Sequence, residues 1–233
     1  NIKQVVPDTF DDHIRLVGDG SIDVSYVNPV VYVKLARRFG ATALARAVEV
    51  YGQQDFRGQI ICRADNKSIQ SVADCRGKTW IAVDPSSAGG FLYPLGLFAD
   101  HGLHREDFAA IDFAPGPGGK QEKVVLAVYA GKYEIGSIRE GTLNVVANKI
   151  DVSRIRVVAS TRWYPGWVFA AGRRLDSAIA VRIKEALCSL NYKEDQDRMI
   201  LEEADIYGVV PAADGDFDSV REMGEWVRSC ATE

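Results

Sequence analysis

Four segments of this 233-residue chain carry the residue types best suited to chemistry, and each follows a run with β-strand character. Asn28-Pro29 follows Ile22 to Val27. Asp84-Pro85-Ser86-Ser87-Ala88-Gly89-Gly90 follows Lys78 to Val83. Pro115-Gly116-Pro117-Gly118-Gly119-Lys120-Gln121 follows Ala109 to Phe113, and Arg139-Glu140 follows Glu134 to Ile138. The first three lead straight into helical patterns. A strand-to-helix turn presents unpaired backbone N–H groups at the positive end of a helix dipole. Such an end attracts anions, and glycine lets a ligand approach the main chain closely. Ser86 and Ser87 add hydroxyl donors, and Arg139 adds a fixed positive charge. The same residues also suit a structural role, with the serines as helix N-caps and the glycines as tight turns.

Catalytic patterns are weak. The histidines are His13, His101 and His104; the last two flank a helix end with no third ligand beside them. No Gly-Lys-Ser/Thr follows the glycine loop, so it is not a phosphate-binding P-loop, and it is not a dinucleotide fingerprint. No nucleophile elbow or Cys–His pair stands out. Asp23, Asp84 and Glu140 sit near strand ends without forming an acid–base pair. Glu140 is the one residue an enzymatic alternative would use. Cys62, Cys75, Cys188 and Cys230 make no CxxC or metal-like spacing; a Cys188–Cys230 bridge stays open. Neither a cofactor nor a metal is expected. Trp163, Tyr164, Trp167, Phe169, Tyr26 and Phe56 suit either core packing or the wall of a ligand cleft.

The elements that must position these residues belong to an ordinary soluble globular composition, with 47% hydrophobic and 26% charged residues. A net charge of −4 without a basic stripe argues against nucleic acid. No apolar run reaches the roughly 18 residues of a membrane helix. The chain starts at Asn1 without an initiator Met and is read as a mature or trimmed segment. Periodicity predicts helices over 10–19, 29–39, 91–101, 120–130, 143–148, 177–190, 196–204 and 217–227, with a helical turn over 68–75. Strands are predicted over 22–27, 43–51, 59–63, 78–83, 109–113, 134–138, 155–159 and 167–171. Alternating strands and helices predict parallel sheets wrapped by helices, with chain crossings near 64–78 and 158–166.

Several segments resemble one family in the right order. Asp23-Val24-Ser25-Tyr26-Val27-Asn28-Pro29, with Tyr32 beyond, is similar to the D-V-A-x-x-G-P-x-x-Y segment of phosphonate/phosphite-type ABC-transporter binding proteins. Asp74-Cys75-Arg76-Gly77-Lys78 resembles their D-L-x-G-K entry into the second lobe. Asp84 to Pro94 resembles D-P-x-S-T-S-G-F-L-x-P. Ser137-Ile138-Arg139-Glu140-Gly141-Thr142-Leu143 and Tyr164-Pro165-Gly166-Trp167 look closest to the related sensor domains of histidine kinases.

The resemblance implies a type II periplasmic-binding-protein fold: two α/β lobes joined by a two-strand hinge, 1–76 plus 165–233 and 77–164. The first lobe would lack its first strand and helix and so expose a sheet edge. The implied function is an extracytoplasmic protein, periplasmic or extracellular and possibly membrane-anchored. It would be monomeric and non-catalytic, closing on a small anion for an ABC permease. A kinase-linked sensor domain is the alternative, and a small-molecule enzyme the second. The implied ligand residues are Tyr26, Asn28, Phe56, Ser86, Ser87, Ala88, Gly89, Gly90, Gln121, Arg139, Glu140, Tyr164 and Trp167. This sequence departs from the pattern in the anion loop, where Ser87, Ala88, Gly89 and Gly90 match Ser-Thr-Ser-Gly and two hydroxyls are missing. The family's anion-contacting histidine falls near Gln121. Its amine-holding acids fall near Glu140 or Gly141 and on Trp167. The expectation is an anion held mainly by main-chain N–H groups and aromatic walls.

Overall fold

Asn28 and Gly40 show how closely local chemistry sets the elements. Asn28 accepts a hydrogen bond from the Val31 N–H at 3.0 Å, Pro29 occupies the first turn, and helix α2 (Pro29–Phe39) ends where Gly40 turns left-handed at φ 69°. Helix α1 (Phe10–Gly18) is capped by Thr9, whose hydroxyl accepts from the Asp12 N–H at 3.1 Å. The computed structural model describes residues 2–49, 53–116 and 118–229, with side chains of α8 (Asp218–Ser229) described through Gly224.

The chain divides into two compact units: Asn1–Asp55 with Tyr164–Arg221, and Phe56–Trp163 with the part of α8 from Glu222. The first unit carries a four-stranded sheet ordered β1-β10-β2-β11, from β1 (Val24–Val27), β2 (Thr42–Val48), β10 (Val168–Ala171) and β11 (Gly208–Pro211). All three of its strand pairs are antiparallel. Ile14, Val17, Val31, Tyr32, Leu35 and Phe217 pack on one core. Leu44, Ala45, Leu201 and Val209 form a second, with residues of α6 (Ser177–Cys188) against it. Helix α7 (Asp195–Glu203) contributes Leu201. Tyr32 ties α2 to the turn before α8 by donating its hydroxyl to Asp214 at 2.6 Å.

His13, on α1, sits 2.9 Å from the Ser25 hydroxyl of β1, and burial holds its pKa below the ordinary imidazole value. The fold therefore favours the neutral ring. Its contribution is present above the unfolded pKa of about 6.5 and is lost as pH falls through that value toward the lower folded one. The urea midpoint is expected to fall between about pH 7 and 5.5, and to fall less in His13→Gln.

The second unit holds a five-stranded sheet ordered β6-β5-β7-β4-β8. Its strands are β4 (Gly58–Arg63), β5 (Thr79–Ala82), β6 (Ala110–Phe113), β7 (Ile135–Arg139) and β8 (Ile155–Ser160). β5 runs parallel to β6 and β7, whereas β4 is antiparallel to β7 and β8. Both faces are covered, so successive residues enter opposite cores. Ile60, Cys62, Trp80 and Ala82 face α3 (Tyr93–Asp100), with Phe91, Phe98 and Phe108. Ile61, Ile81 and Val83 face α4 (Lys120–Tyr129), with Val124, Val125 and Val128. Val146 of the short α5 (Thr142–Val146) joins the second group.

Several expectations change. Within the described four- and five-stranded sheets, β5 pairs parallel with β6 and β7, and the other neighbours are antiparallel. The first crossing expected at 76/77 falls at 55/56, because β4 pairs with β7 and β8 in the second unit's sheet. The two-residue strands β3 (Asp55–Phe56) and β9 (Tyr164–Pro165), which pair with each other, were too short to give a period. β11 was missed because Gly208-Val209-Val210-Pro211 ends in proline, which reads as a turn. The helical turn expected over 68–75 shrinks to a 3₁₀ turn, Ala73–Cys75. Part of the strand expected over 43–51, and Cys230 with its possible bridge, lie outside the described residues. Cys188 is a free thiol. No helix among the described residues is long and apolar enough to cross a membrane.

Candidate functional site

The sequence from Asp84 to Phe91 folds into a tightly wound turn at the end of β5. Helical winding begins at Ala88, three residues earlier than the periodicity suggests, as a wide π-type turn over Ala88–Leu92 that runs directly into α3. The cause is glycine. A Cβ on Gly90 would lie 2.6 Å from Val83 Cβ and 2.9 Å from Ser87 Oγ. Without one, the Leu92 N–H reaches the Ser87 carbonyl at 3.0 Å and the Gly90 carbonyl accepts from the Val83 N–H at 3.2 Å. Ser87 is the N-cap, its hydroxyl accepting from the Gly90 N–H at 3.2 Å. The Ser86 N–H donates to Asp84 Oδ1 at 2.9 Å, and Asp84 Oδ2 holds Lys120 Nζ at 2.7 Å. The amides of Ala88 and Gly89 lead the winding, ahead of any acceptor within it.

A buried relay fixes this turn from below. Trp80 Nε1 donates to the Ser137 hydroxyl at 2.9 Å, and that hydroxyl donates to the Gly90 carbonyl at 2.6 Å. Trp80 and Ser137 are both fully buried.

The adjoining strand end bears Arg139. A Cβ on Gly89 would stand 3.4 Å from Arg139 Cβ, and the Arg139 guanidinium lies over the Phe56 ring at 4.8 Å. Gln121 Oε1, at the start of α4, accepts from the Arg139 N–H at 2.9 Å. The Thr142 hydroxyl donates to the Arg139 carbonyl at 2.7 Å. Glu140 is engaged by a cation. Its Oε1 accepts from Arg57 Nη2 at 2.6 Å, Arg57 Nε at 3.0 Å and Gln59 Nε2 at 3.3 Å. Arg57 also stacks on Trp163 at 4.5 Å.

Within the second unit, then, Phe56, Ser86, Ser87, Ala88, Gly89, Gly90, Gln121, Arg139 and Glu140 lie on neighbouring strand ends and turns. Tyr26, Asn28, Tyr164 and Trp167 belong to the first unit. There Tyr26, 38% exposed, stacks on Phe169 at 4.6 Å and meets Trp167 at 5.2 Å. Tyr164 is buried. Asn28 is 3% exposed and its side chain caps α2. Asn28→Ala is expected to lower stability by about 1 kcal/mol through loss of the cap, read as a shift of the urea midpoint. An unchanged midpoint would show that the cap contributes little.

A family model for the periplasmic substrate-binding proteins of phosphonate ABC transporters matches residues 1–217. The chain belongs to that family. Among curated proteins, the chain is 27% identical over 221 residues to the phosphate-import protein PhnD of Mycolicibacterium smegmatis, covering 88% of this chain and 68% of that one. It is also 26% identical over 183 residues to the tetrathionate sensor histidine kinase TtrS of Salmonella typhimurium, covering 73% of this chain but only 31% of the kinase. Among solved structures, the binding component of a Pseudomonas aeruginosa phosphonate transporter superposes with a TM-score of 0.81 at 14% identity, covering 97% of this chain and 75% of that one. PhnD1 of Prochlorococcus marinus, in complex with methylphosphonate, gives 0.80 at 13% identity, with coverage of 94% and 83%. The fold is thus the type II periplasmic-binding-protein fold, two α/β lobes joined by a two-strand hinge.

Against this phosphonate-binding-protein background, the sequence reading overlooked three residues. Lys120 was passed over as part of a glycine-rich loop, yet it ties Asp84 to the start of α4. Ser137 carried a usable signal, a lone hydroxyl inside the apolar run Ile135 to Ile138. Arg57 had no such signal, since its partner Glu140 lies 83 positions away in sequence. Among the described residues no cluster of His, Cys, Asp and Glu could hold a metal ion.

Proposed function

We propose that this phosphonate-family chain is an extracytoplasmic solute-binding protein that takes a small oxyanion at the Ser86–Gly90 turn and presents it to an ABC permease. The observation that carries this reading is that the leading amides of Ala88 and Gly89 stand beside the strand end bearing Arg139, at a turn held from beneath by Trp80 and Ser137. Oriented main-chain N–H groups and a guanidinium suit an oxyanion of phosphonate, phosphite or phosphate type. The Ser87 hydroxyl is engaged as a cap, so the main chain supplies most donors. Phe56, beneath Arg139, supplies an apolar surface beside them. The proposed role is binding, with Asp84 and Glu140 engaged by Lys120 and Arg57.

A thermal-shift screen of methylphosphonate, phosphite, phosphate, sulfonates and carboxylates tests this. At least one tetrahedral oxyanion is expected to raise the melting temperature, and Gly89→Asp, which places a carboxylate at the turn, to abolish the shift. A second reading, a ligand-sensing domain, is favoured by the likeness to the sensor kinase. It would use the same turn and differ in the partner that reads the loaded form.

A further inference from the structure

The two carboxylates bordering the Ser86–Gly90 turn are each engaged by a cation, and this decides what kind of oxyanion it can take. Both carboxylates belong to the second unit and adjoin the site's residues along the chain: Asp84, at the start of the turn, and Glu140, directly after Arg139. Asp84 is held by Lys120 at 2.7 Å, and Glu140 by Arg57 at 2.6 Å, with Gln59 adding a third donor to the same oxygen. The second pair is braced on both sides. The Glu140 N–H donates to the Arg57 carbonyl at 3.0 Å, and Trp163 stacks on the guanidinium. Gly58, next to Arg57, packs so tightly that a Cβ there would lie 2.5 Å from the Gly89 carbonyl. The Arg57–Glu140 pair is therefore locked to the frame of the anion turn.

A ligand ammonium group needs a carboxylate to receive it, since an unpaired cation that loses water is costly. We infer that Arg57 acts as a specificity-determining residue: by neutralising Glu140 it excludes oxyanions that carry an amine and restricts the site to amine-free ones. The inference rests on the reading that the oxyanion sits at the Ala88–Gly89 turn.

Ethylphosphonate and 2-aminoethylphosphonate differ by the amino group alone, so calorimetric titration of both isolates this effect. The unmodified chain is expected to bind ethylphosphonate at least about tenfold more tightly, the value of one charge-assisted hydrogen bond. Arg57→Gln, which releases Glu140, is expected to bring the two ligands within about threefold of each other. Adding Glu140→Gln to that variant should restore the original preference. Should Arg57→Gln fail to fold, Glu140→Gln alone decides: its discrimination is expected to match that of the unmodified chain. Equal or tighter binding of the amine ligand by the unmodified chain overturns the inference, as does an unchanged ratio in folded Arg57→Gln or a collapse of the ratio in Glu140→Gln. Binding of neither ligand overturns the oxyanion site itself.

Discussion

Gly90→Ala is expected to destabilise the protein by about 3 kcal/mol, at the upper end of the range for overpacking a filled interior. The added methyl would stand 2.6 Å from Val83 Cβ, nearer still to Val83 Cγ2, and 2.9 Å from the Ser87 hydroxyl. Val83 cannot yield easily, because it lies in the core beneath α4 with Ile81, Val124 and Val125. Ser87 cannot yield without giving up the cap on the Gly90 N–H. Moving Gly90 itself would break the hydrogen bond from Ser137 to its carbonyl. For a chain of this length the melting temperature should drop by roughly 6–12 °C. Val83→Ala in the same chain should recover only part of the loss, since its Cβ remains. A Gly90→Ala protein that melts within about 2 °C of the original would mean that the turn is looser than drawn and not fixed from below.

Arg139→Met should weaken oxyanion binding by about 10- to 150-fold, corresponding to roughly 1.5–3 kcal/mol for a hydrogen bond to a charged group. Methionine keeps the apolar stem against Phe56 and removes only the fork and its charge. Arg139→Lys separates the two contributions. It restores the charge but not the planar pair of donors, so recovery should be partial. Calorimetric titration with the strongest anion from the screen gives both values. Equal affinity in all three proteins would remove Arg139 from the site.

Much of this was legible in the sequence where a local rule acts alone. The Pro29 and Gly40 signals place α2 to the residue. The Ser-Gly turn after β5 was found from its residue types, and the structure adds that its winding begins at Ala88. What stayed hidden was long-range. The antiparallel neighbours of β4 are set by pairing with strands some 80 to 100 positions away, and no periodicity reports a partner. Glu140 could be picked out as a strand-end carboxylate, but its neutralisation by Arg57 could not, because that pair forms only once β4 and β7 lie side by side. Ser87 illustrates a third case: its side chain caps a helix, as the plainer reading of the sequence allowed, whereas the cap by Asn28 was not read from the sequence.

The central claim is that main-chain amides of the Ala88–Gly89 turn hold the anion, and amide NMR reads those groups directly. Titrating isotopically labelled protein with methylphosphonate, phosphite and inorganic phosphate should move the Ala88 and Gly89 amide proton resonances downfield, saturably and ahead of resonances elsewhere in the second unit. Saturable binding of any of these anions that leaves both amides in place would contradict the account.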